Sequence, residues 1–489
     1  MGPAIRLPGR SISYAEIVRA LFRLASSLCL VLFAWTPPSL DAQKNGDVAL
    51  WLTNTDKSAL FAPQSPPLRF LKAANQNPTV DVDDKRTFQS IDGFGYALTG
   101  GSAQHIIRMD PAKRAALIEE LFATGGRSIG VSYLRVSIGA SDLNDHVFTY
   151  DDLPAGQSDP DMAHFSLDQD RADVIPVLKE ILRVAPKIKI LGSPWTAPSW
   201  MKTSNNPKGG KLKPEYYPAY ARYFVKYIQG MRAEGIRIDA ITVQNEPLNE
   251  KNTPSLLMLA PDEADFIKNH LGPAFKAARI DTRIILYDHN CDVPEYATSI
   301  LGDPQAARYV DGSGFHLYGG RIEAMSQVHD AYPRKNLYFT EQMVTGSVES
   351  RPTVNVGSPV RRLIVGATRN WSRNVLLWNL AADPQNRPHT DNGGCGTCQG
   401  AITIDGDNVS RNVAYYAVAH ASKFVRPGSV RIDSTASDTL PNVAFKTPDG
   451  KKVLIVVNGG QAPQAFNIRY RGALAVTSLN AGSVGTYAW

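Results

Sequence analysis

AITVQNEP, residues 240–247, is an apolar β-type run that ends in a carboxylate and is stopped by a proline. Proline cannot extend a sheet, so the strand ends there and Glu246 stands at its rim. A second run of this kind, NLYFTEQM over residues 336–343, ends in Glu341. A carboxylate at the end of a buried strand needs a partner or a task. A helix cap or half of an ion pair is the competing reading of each, weaker for Glu246 with its proline stop than for Glu341, so the surrounding pattern decides.

Outward from these two, strand-type runs alternate with amphipathic stretches from about residue 88 to residue 420. Eight runs are predicted as strands: Ser90–Tyr96, Ser132–Gly139, Ile188–Trp195, Ala240–Glu246, Arg283–Asn290, Gly312–Tyr318, Asn336–Glu341 and Asn374–Leu380. The helical stretches between them are Pro111–Ala123, Arg171–Val184, Glu215–Glu234, Pro261–Arg279, Pro304–Val310, Arg321–Ala331 and Pro359–Asn370. Tyr220, Phe224, Tyr227, Ile228 and Met231 recur every three or four residues, as one buried helix face requires. Strand, crossover helix, strand, repeated to eight strands, predicts an α/β fold of the (β/α)8 (TIM) barrel type.

The pattern changes at both ends. Val48–Thr53, Thr79–Asp83 and the region 430–489 read as short alternating strands with Gly, Asn and Pro turns, including a Pro-Asp-Gly hairpin signal at 448–450. The two ends are expected to pair into one accessory β-sandwich. Ahead of them, Arg6, Arg10, Arg19 and Arg23 precede or enter the apolar run 24–35, followed by Pro37, Pro38 and small residues near Ala42. That order reads as a secretory signal, which places the mature chain outside the cytoplasm, secreted or periplasmic. The apolar run falls short of the ~20 residues of a membrane span. The expected organisation is a signal over 1–43, sandwich strands over 44–87, the barrel over 88–424 and further sandwich strands over 425–489.

With 489 residues, 43% hydrophobic and 20% charged, the composition is that of an ordinary globular protein. The formal charge of +6 is spread along the chain without the clustered basic patch that nucleic-acid binding wants. Cys395-Gly-Thr-Cys398 has the spacing of half a zinc site, a redox motif or a local disulfide. No second ligand pair and no thioredoxin-like context accompany it, so in an exported chain the disulfide is the better reading, with Cys291 left as a buried thiol.

Barrel enzymes place their chemistry at the C-terminal ends of the strands. Strands four and seven lie across the barrel mouth, so Glu246 and Glu341 face one another. In a retaining glycosidase two carboxyl groups stand ~5–5.5 Å apart, one protonating the leaving oxygen while the other attacks the anomeric carbon. Asn245 is placed to bind a sugar 2-hydroxyl. Arg135, a cation inside an apolar strand, needs a carboxylate, and Glu341 is its expected partner. His316 ends strand six. Trp195, Trp200, Trp378 and Tyr318 are candidate platforms for sugar faces, Trp200 being equally readable as core. Asp92 and the GFGYALTGG segment are read as a flexible turn ending strand one.

The segments IDGFGYALTGGSAQ, YLRVSIGASDLN, ILGSPWTAPSWMKT, ITVQNEP, FHLY, YFTEQ, LLWNLA and HASKFVRPGS resemble, in order and spacing, the glucosylceramidase-type retaining β-glycosidases of glycoside hydrolase family 30. The resemblance implies a barrel fused to a sandwich made from both chain ends. It implies Glu246 as acid/base and Glu341 as nucleophile, with Trp195, Asn245, His316, Tyr318 and Trp378 at the sugar and Arg135 behind the nucleophile. It implies a carbohydrate or glycolipid substrate and no metal or cofactor. One position departs. Where lysosomal glucosylceramidases carry an aspartate for the glucose 4- and 6-hydroxyls, this chain has Gly100, which favours an open cleft as in relatives that cut β-1,6-glucan. The GGCGTC loop at 393–398 resembles those relatives too. The expected activity is hydrolysis of β-glucosidic bonds by double displacement, glucosylceramidase-like, with an endo-β-1,6-glucanase as the alternative. A silent carbohydrate-binding protein is a third reading, which the presence of both carboxylates disfavours.

Overall fold

The computed structural model describes residues 47–489, so the expected signal segment lies outside the described residues. The eight expected runs form a closed, all-parallel barrel. Its strands are Gly93–Leu98, Tyr133–Ile138, Lys189–Pro194, Ala240–Thr242, Arg283–Cys291, Val310–Gly320, Asn336–Glu341 and Ser372–Leu377. Closure comes from the pairing of the last strand with the first, Asn374 opposite Gly93 through Leu377 opposite Tyr96.

Alternate residues of each strand face the barrel axis, so its interior is built in layers. Tyr133, Leu191, Ala240, Ile285, Tyr338 and Leu376 make one apolar layer. Two residues further along the strands, the same inward positions carry Arg135, Ser193, Thr242, Thr340 and Trp378, and the interior turns polar. Strand five joins this polar layer through a bulge. Its pairing with strand six skips Asp288, and Tyr287 and Asp288 take φ of 73° and 57°. The extra residue turns Asp288 inward, where strict alternation from Ile285 would have placed Tyr287. The opposite end of the barrel is closed by Asp92, which pairs with Lys189 at 2.8 Å, Arg373 at 2.9 Å and Arg283 at 3.4 Å. Asp92 therefore precedes strand one and seals the floor. The expected flexible turn at the other end of that strand is a single residue, Thr99, which caps the helix Gly100–Arg108.

Strand four is shorter than expected. Its ladder stops at Thr242, and residues 243–246 are irregular, although Asn245 N still donates to Pro194 O and Glu246 N to Asp288 O. The helix Tyr217–Ala233 buries the face that its spacing announces. Residues 260–277 are helical in three pieces around a π turn at Ile267–Leu271. Three helices were not expected: Gly100–Arg108, which opens on two glycines, the short Pro294–Leu301, and Val413–Ser422. The last is buried on every side, so no amphipathic period marks it.

Both chain ends meet in one ten-stranded sheet. Asp47–Thr53 pairs with Val484–Ala488, while Thr79–Ser90 lies between Val430–Ser434 and Gln464–Tyr470. Leu50 and Phe466, from distant strands of this sheet, share one apolar cluster with Val80, Ile432, Leu454 and Tyr487, so the sheet folds over its own core as a sandwich. No helix among the described residues is long and apolar enough to cross a membrane.

Candidate active site

Arg135 is fully buried in the polar layer. Its Nη1 donates to Glu341 Oε2 at 2.5 Å, and its Nη2 to Asp288 Oδ2 at 2.7 Å, Asn245 Oδ1 at 2.7 Å and Ser193 Oγ at 3.1 Å. The guanidinium carbon lies 4.8 Å from the Trp195 ring. Burying a cation costs several kcal/mol unless it is paired and hydrogen-bonded, and here two carboxylates share it. Burial alone would lower the Arg135 pKa, but Asp288 and Glu341 raise it.

Asp288 is the hub of the layer, a residue that sequence reading missed. Its carboxylate accepts five hydrogen bonds: from Arg135, Ser193 Oγ and Thr242 Oγ1 on Oδ2, and from His316 Nε2 at 3.0 Å and Thr340 Oγ1 at 2.5 Å on Oδ1. Burial pushes its pKa up, but Arg135 and His316 hold it far below the usual carboxylate range. The available signal was an acidic residue inside the apolar run RIILYDHN, the same signal that marked Arg135.

His316 bridges this hub to Glu246. Its Nδ1 lies 3.3 Å from Glu246 Oε1 and 3.9 Å from Glu341 Oε1. Burial lowers the imidazole pKa, but Glu341, Asp288 and Glu246 outweigh it and lift the value to about 9. The positive ring in turn overcomes the burial of Glu246 and brings that carboxyl down to about 2. The proton of the His316–Glu246 hydrogen bond therefore lies toward the ring. Glu246 Oε2 also accepts from Asn249 Nδ2 at 2.7 Å. Glu246 sits at φ 45°, a backbone conformation that costs a non-glycine residue of order 1–3 kcal/mol and clusters at functional sites.

Glu341 ends strand seven, with Arg135 on Oε2 and the Tyr318 hydroxyl on Oε1 at 3.0 Å. Burial raises its pKa against the pull of His316 and Arg135. Oxygens of Glu246 and Glu341 lie within 4.8 Å of one another, with an imidazole nitrogen at the same spacing. This trio has the reach of a metal-ligand set, but both nitrogens of His316 are already engaged, Nδ1 with Glu246 and Nε2 with Asp288. A second trio of that reach, Asp151, Asp159 and His164, lies elsewhere in the fold.

The pair opens into a cavity of about 180 Å³, whose wall includes Asp142, Trp195, Asn245, Tyr318, Trp378 and the Cys395–Cys398 disulfide. That is below the ~300–1,000 Å³ of drug-sized ligand sites and suits a single buried ring. Trp195 and Trp378 stack on each other, centroids 5.3 Å apart and planes at 26°. Larger grooves of about 920 and 720 Å³ lie away from the carboxylate pair. Trp200 is not at the cavity. It packs in the core, its indole N–H donating to Asp151 O at 3.0 Å. Tyr318 lines the cavity, as expected of a sugar-site residue, and puts its hydroxyl on Glu341. Nor is the space opposite Gly100 an open cleft. A Cβ built there would lie 2.0 Å from Asn144 Nδ2, the tip of a side chain in the loop after strand two.

A closed (β/α)8 barrel with two carboxylates facing each other at the ends of strands four and seven, one backed by arginine, defines a glycoside hydrolase. The chain matches the Glycosyl hydrolase family 30 TIM-barrel domain over residues 91–425 and the Glycosyl hydrolase family 30 beta sandwich domain over residues 428–487, and it belongs to that family. It is 34% identical over 405 residues to an endo-1,6-beta-D-glucanase of Aspergillus fumigatus, covering 78% of this chain and 80% of that one. It is 29% identical over 440 residues to the lysosomal acid glucosylceramidase of Mus musculus, covering 83% and 82%. A solved endo-beta1,6-glucanase superimposes with a TM-score of 0.82 at 34% identity, covering 91% of this chain and 99% of its own.

Proposed function

We propose that the protein hydrolyses β-1,6-linked glucan with retention, Glu341 serving as nucleophile and Glu246 as acid/base. The observation that carries this reading is the carboxylate pair within 4.8 Å, one member on Arg135 and the other on His316. Inverting enzymes need roughly 6.5–9.5 Å to admit a water between the pair. In the first step Glu341 attacks the anomeric carbon as the bond to the leaving oxygen breaks, and that oxygen takes the proton held between Glu246 and His316. In the second step Glu246 removes a proton from water, which attacks the glycosyl ester and frees Glu341.

Glucan is preferred over a glycolipid because the endo-1,6-glucanases match at higher identity over similar lengths. Export of the chain, as its N-terminal segment suggests, would bring it to such a polysaccharide, and the disulfide suits an oxidising compartment. Incubation with pustulan and, separately, with glucosylceramide tests the substrate. Release of β-1,6-linked oligosaccharides is expected, and hydrolysis of neither substrate would overturn the reading. Proton NMR of the first-formed product should show the β-anomer, whereas an initial α-anomer would refute retention.

The shared proton sets the alkaline limit of activity. His316 gives it up at about pH 9, so kcat/KM should fall above that pH. In His316→Asn, which keeps a donor but stores no proton, the alkaline limb should move down by at least one pH unit. A pH–rate profile checks this, and an unchanged limb would remove His316 from the proton path.

A further inference from the structure

The segment between strand two and the helix Val174–Val184 holds a cluster separate from the carboxylate pair. Asp151, Asp159 and His164 each bring a ligand-type atom within 4.8 Å of the other two, and none of the three lines the cavity of Glu246 and Glu341. Asp151 is the unexplained member. It is 1% exposed, and neither of its carboxylate oxygens has a hydrogen-bond partner among the described residues. The Trp200 indole N–H reaches this residue but donates to its backbone oxygen. Other deeply buried acids are satisfied: Asp170 accepts from the Tyr150 hydroxyl at 2.6 Å, and Asp92 meets three cations. Burial, followed by the charge of Asp159, pushes the Asp151 pKa up to about 6 even against the pull of His164. An unpaired buried carboxyl beside a second one is a cost to the fold, so stability alone does not account for it.

The other two members are built into a tight turn. Asp159 Oδ2 accepts from His164 N at 2.7 Å and lies 3.0 Å from His164 Nδ1. The turn is anchored to the helix Tyr217–Ala233, where Arg222 Nε donates to Pro160 O at 3.2 Å and Lys226 Nζ to Met162 O at 2.7 Å. Both of these cations are thus occupied by backbone carbonyls. The only ion pair of the trio among the described residues is His164 with Asp159. With a neutral imidazole the trio therefore carries two negative charges and no counter-charge. The His164 side chain is 69% exposed, which opens the cluster to solvent and leaves the ring room to swing.

We propose that Asp151, Asp159 and His164 bind a divalent transition-metal ion of the zinc class, which fastens the loop after strand two. Two carboxylates and one imidazole are donors that zinc takes, with a water in the fourth position, and a doubly charged ion cancels their charge. Calcium, which collects roughly six to eight oxygens, suits the set less. Donors ~2.0–2.2 Å from a tetrahedral ion stand about 3.6 Å or less from one another, so the trio has to draw in by about 1 Å at most, which the exposed imidazole permits.

The test is calorimetric titration of the full chain, stripped with EDTA and desalted, with zinc chloride. One ion per chain should bind, and zinc at about 100 times Kd should raise the melting temperature by about 3 °C. Asp151→Asn, which keeps the shape and loses the charge, should weaken binding at least about tenfold and cancel the rise. Without metal it should melt no lower than stripped wild type, because its carboxylate has no partner to lose. His164→Ala, at an exposed position, should weaken binding to the same degree, and it decides the matter if Asp151→Asn does not accumulate. Absence of zinc binding by the wild type, or binding within about threefold of wild type in the variants, would overturn the assignment. So would a metal-free Asp151→Asn melting more than about 3 °C below stripped wild type, since the protein alone would then engage the carboxylate. A rise with calcium chloride that survives His164→Ala would remove the imidazole and with it the zinc-class site. None of these measurements depends on hydrolysis, so their outcome is separate from that of the glycosidase reading.

Discussion

Glu341→Gln is expected to lower kcat at least about 10⁴-fold while leaving glucan affinity within a few-fold. The amide has the shape of the acid, can still accept from Tyr318, and leaves Asp288 in place to hold Arg135. What it removes is the negative charge and the lone pair that attacks carbon. Because the partners of Glu341 all persist, the fold should survive and the defect should be confined to chemistry. Steady-state turnover together with calorimetric titration of a β-1,6-oligosaccharide separates the two effects. Turnover within tenfold of wild type would remove Glu341 as nucleophile.

Asp288→Ala should have the largest effect on stability, above about 4 kcal/mol, because removing one partner of a buried charge network leaves the others uncompensated. Arg135 would keep one carboxylate where it now has two, His316 would lose the acceptor for Nε2, and Ser193, Thr242 and Thr340 would lose theirs. For a chain of this size that corresponds to a fall in melting temperature of roughly 4 °C or more, or to failure to accumulate as folded protein. Asp288→Asn keeps the volume and should fold. Its charge loss should lower the pKa of His316 and draw the alkaline limb of kcat/KM down with it. A melting temperature of Asp288→Ala within 2 °C of wild type would show that the network is not a unit.

The barrel was legible because its signal is repeated eight times, so an error at any one strand does not change the count. Glu246 and Glu341 were legible because each carboxylate closes an apolar run, and Glu246 also lies beside a proline stop. Asp288 was hidden by a bulge. Period-two alternation from Ile285 points the wrong residue inward, and only two left-handed backbone conformations in succession correct it. Asp142 was hidden for a different reason. It lies in a polar loop, where acids are ordinary, and that loop is held through Asp142 O by Thr390 and through Leu143 O by Gly101, far away in sequence. Asp92 read as part of a turn because the run SIDGFGY does not show which end of the strand it occupies. Trp200 illustrates the reverse: an aromatic near a strand end that the core claims.

The pairing of Asp47–Thr53 with Val484–Ala488 ties residues more than 400 positions apart into adjacent strands. Contacts of such sequence separation carry a large loop-closure entropy and form late, so they slow folding more than they change stability. The first strand of the accessory sheet has close partners in Ala62–Pro63 and Leu68–Arg69, but it cannot meet Val484–Ala488 until that segment has been made. The barrel between them, whose strands pair mostly with their neighbours in sequence, is free to assemble first. The sandwich is then the latch that closes on a barrel already formed.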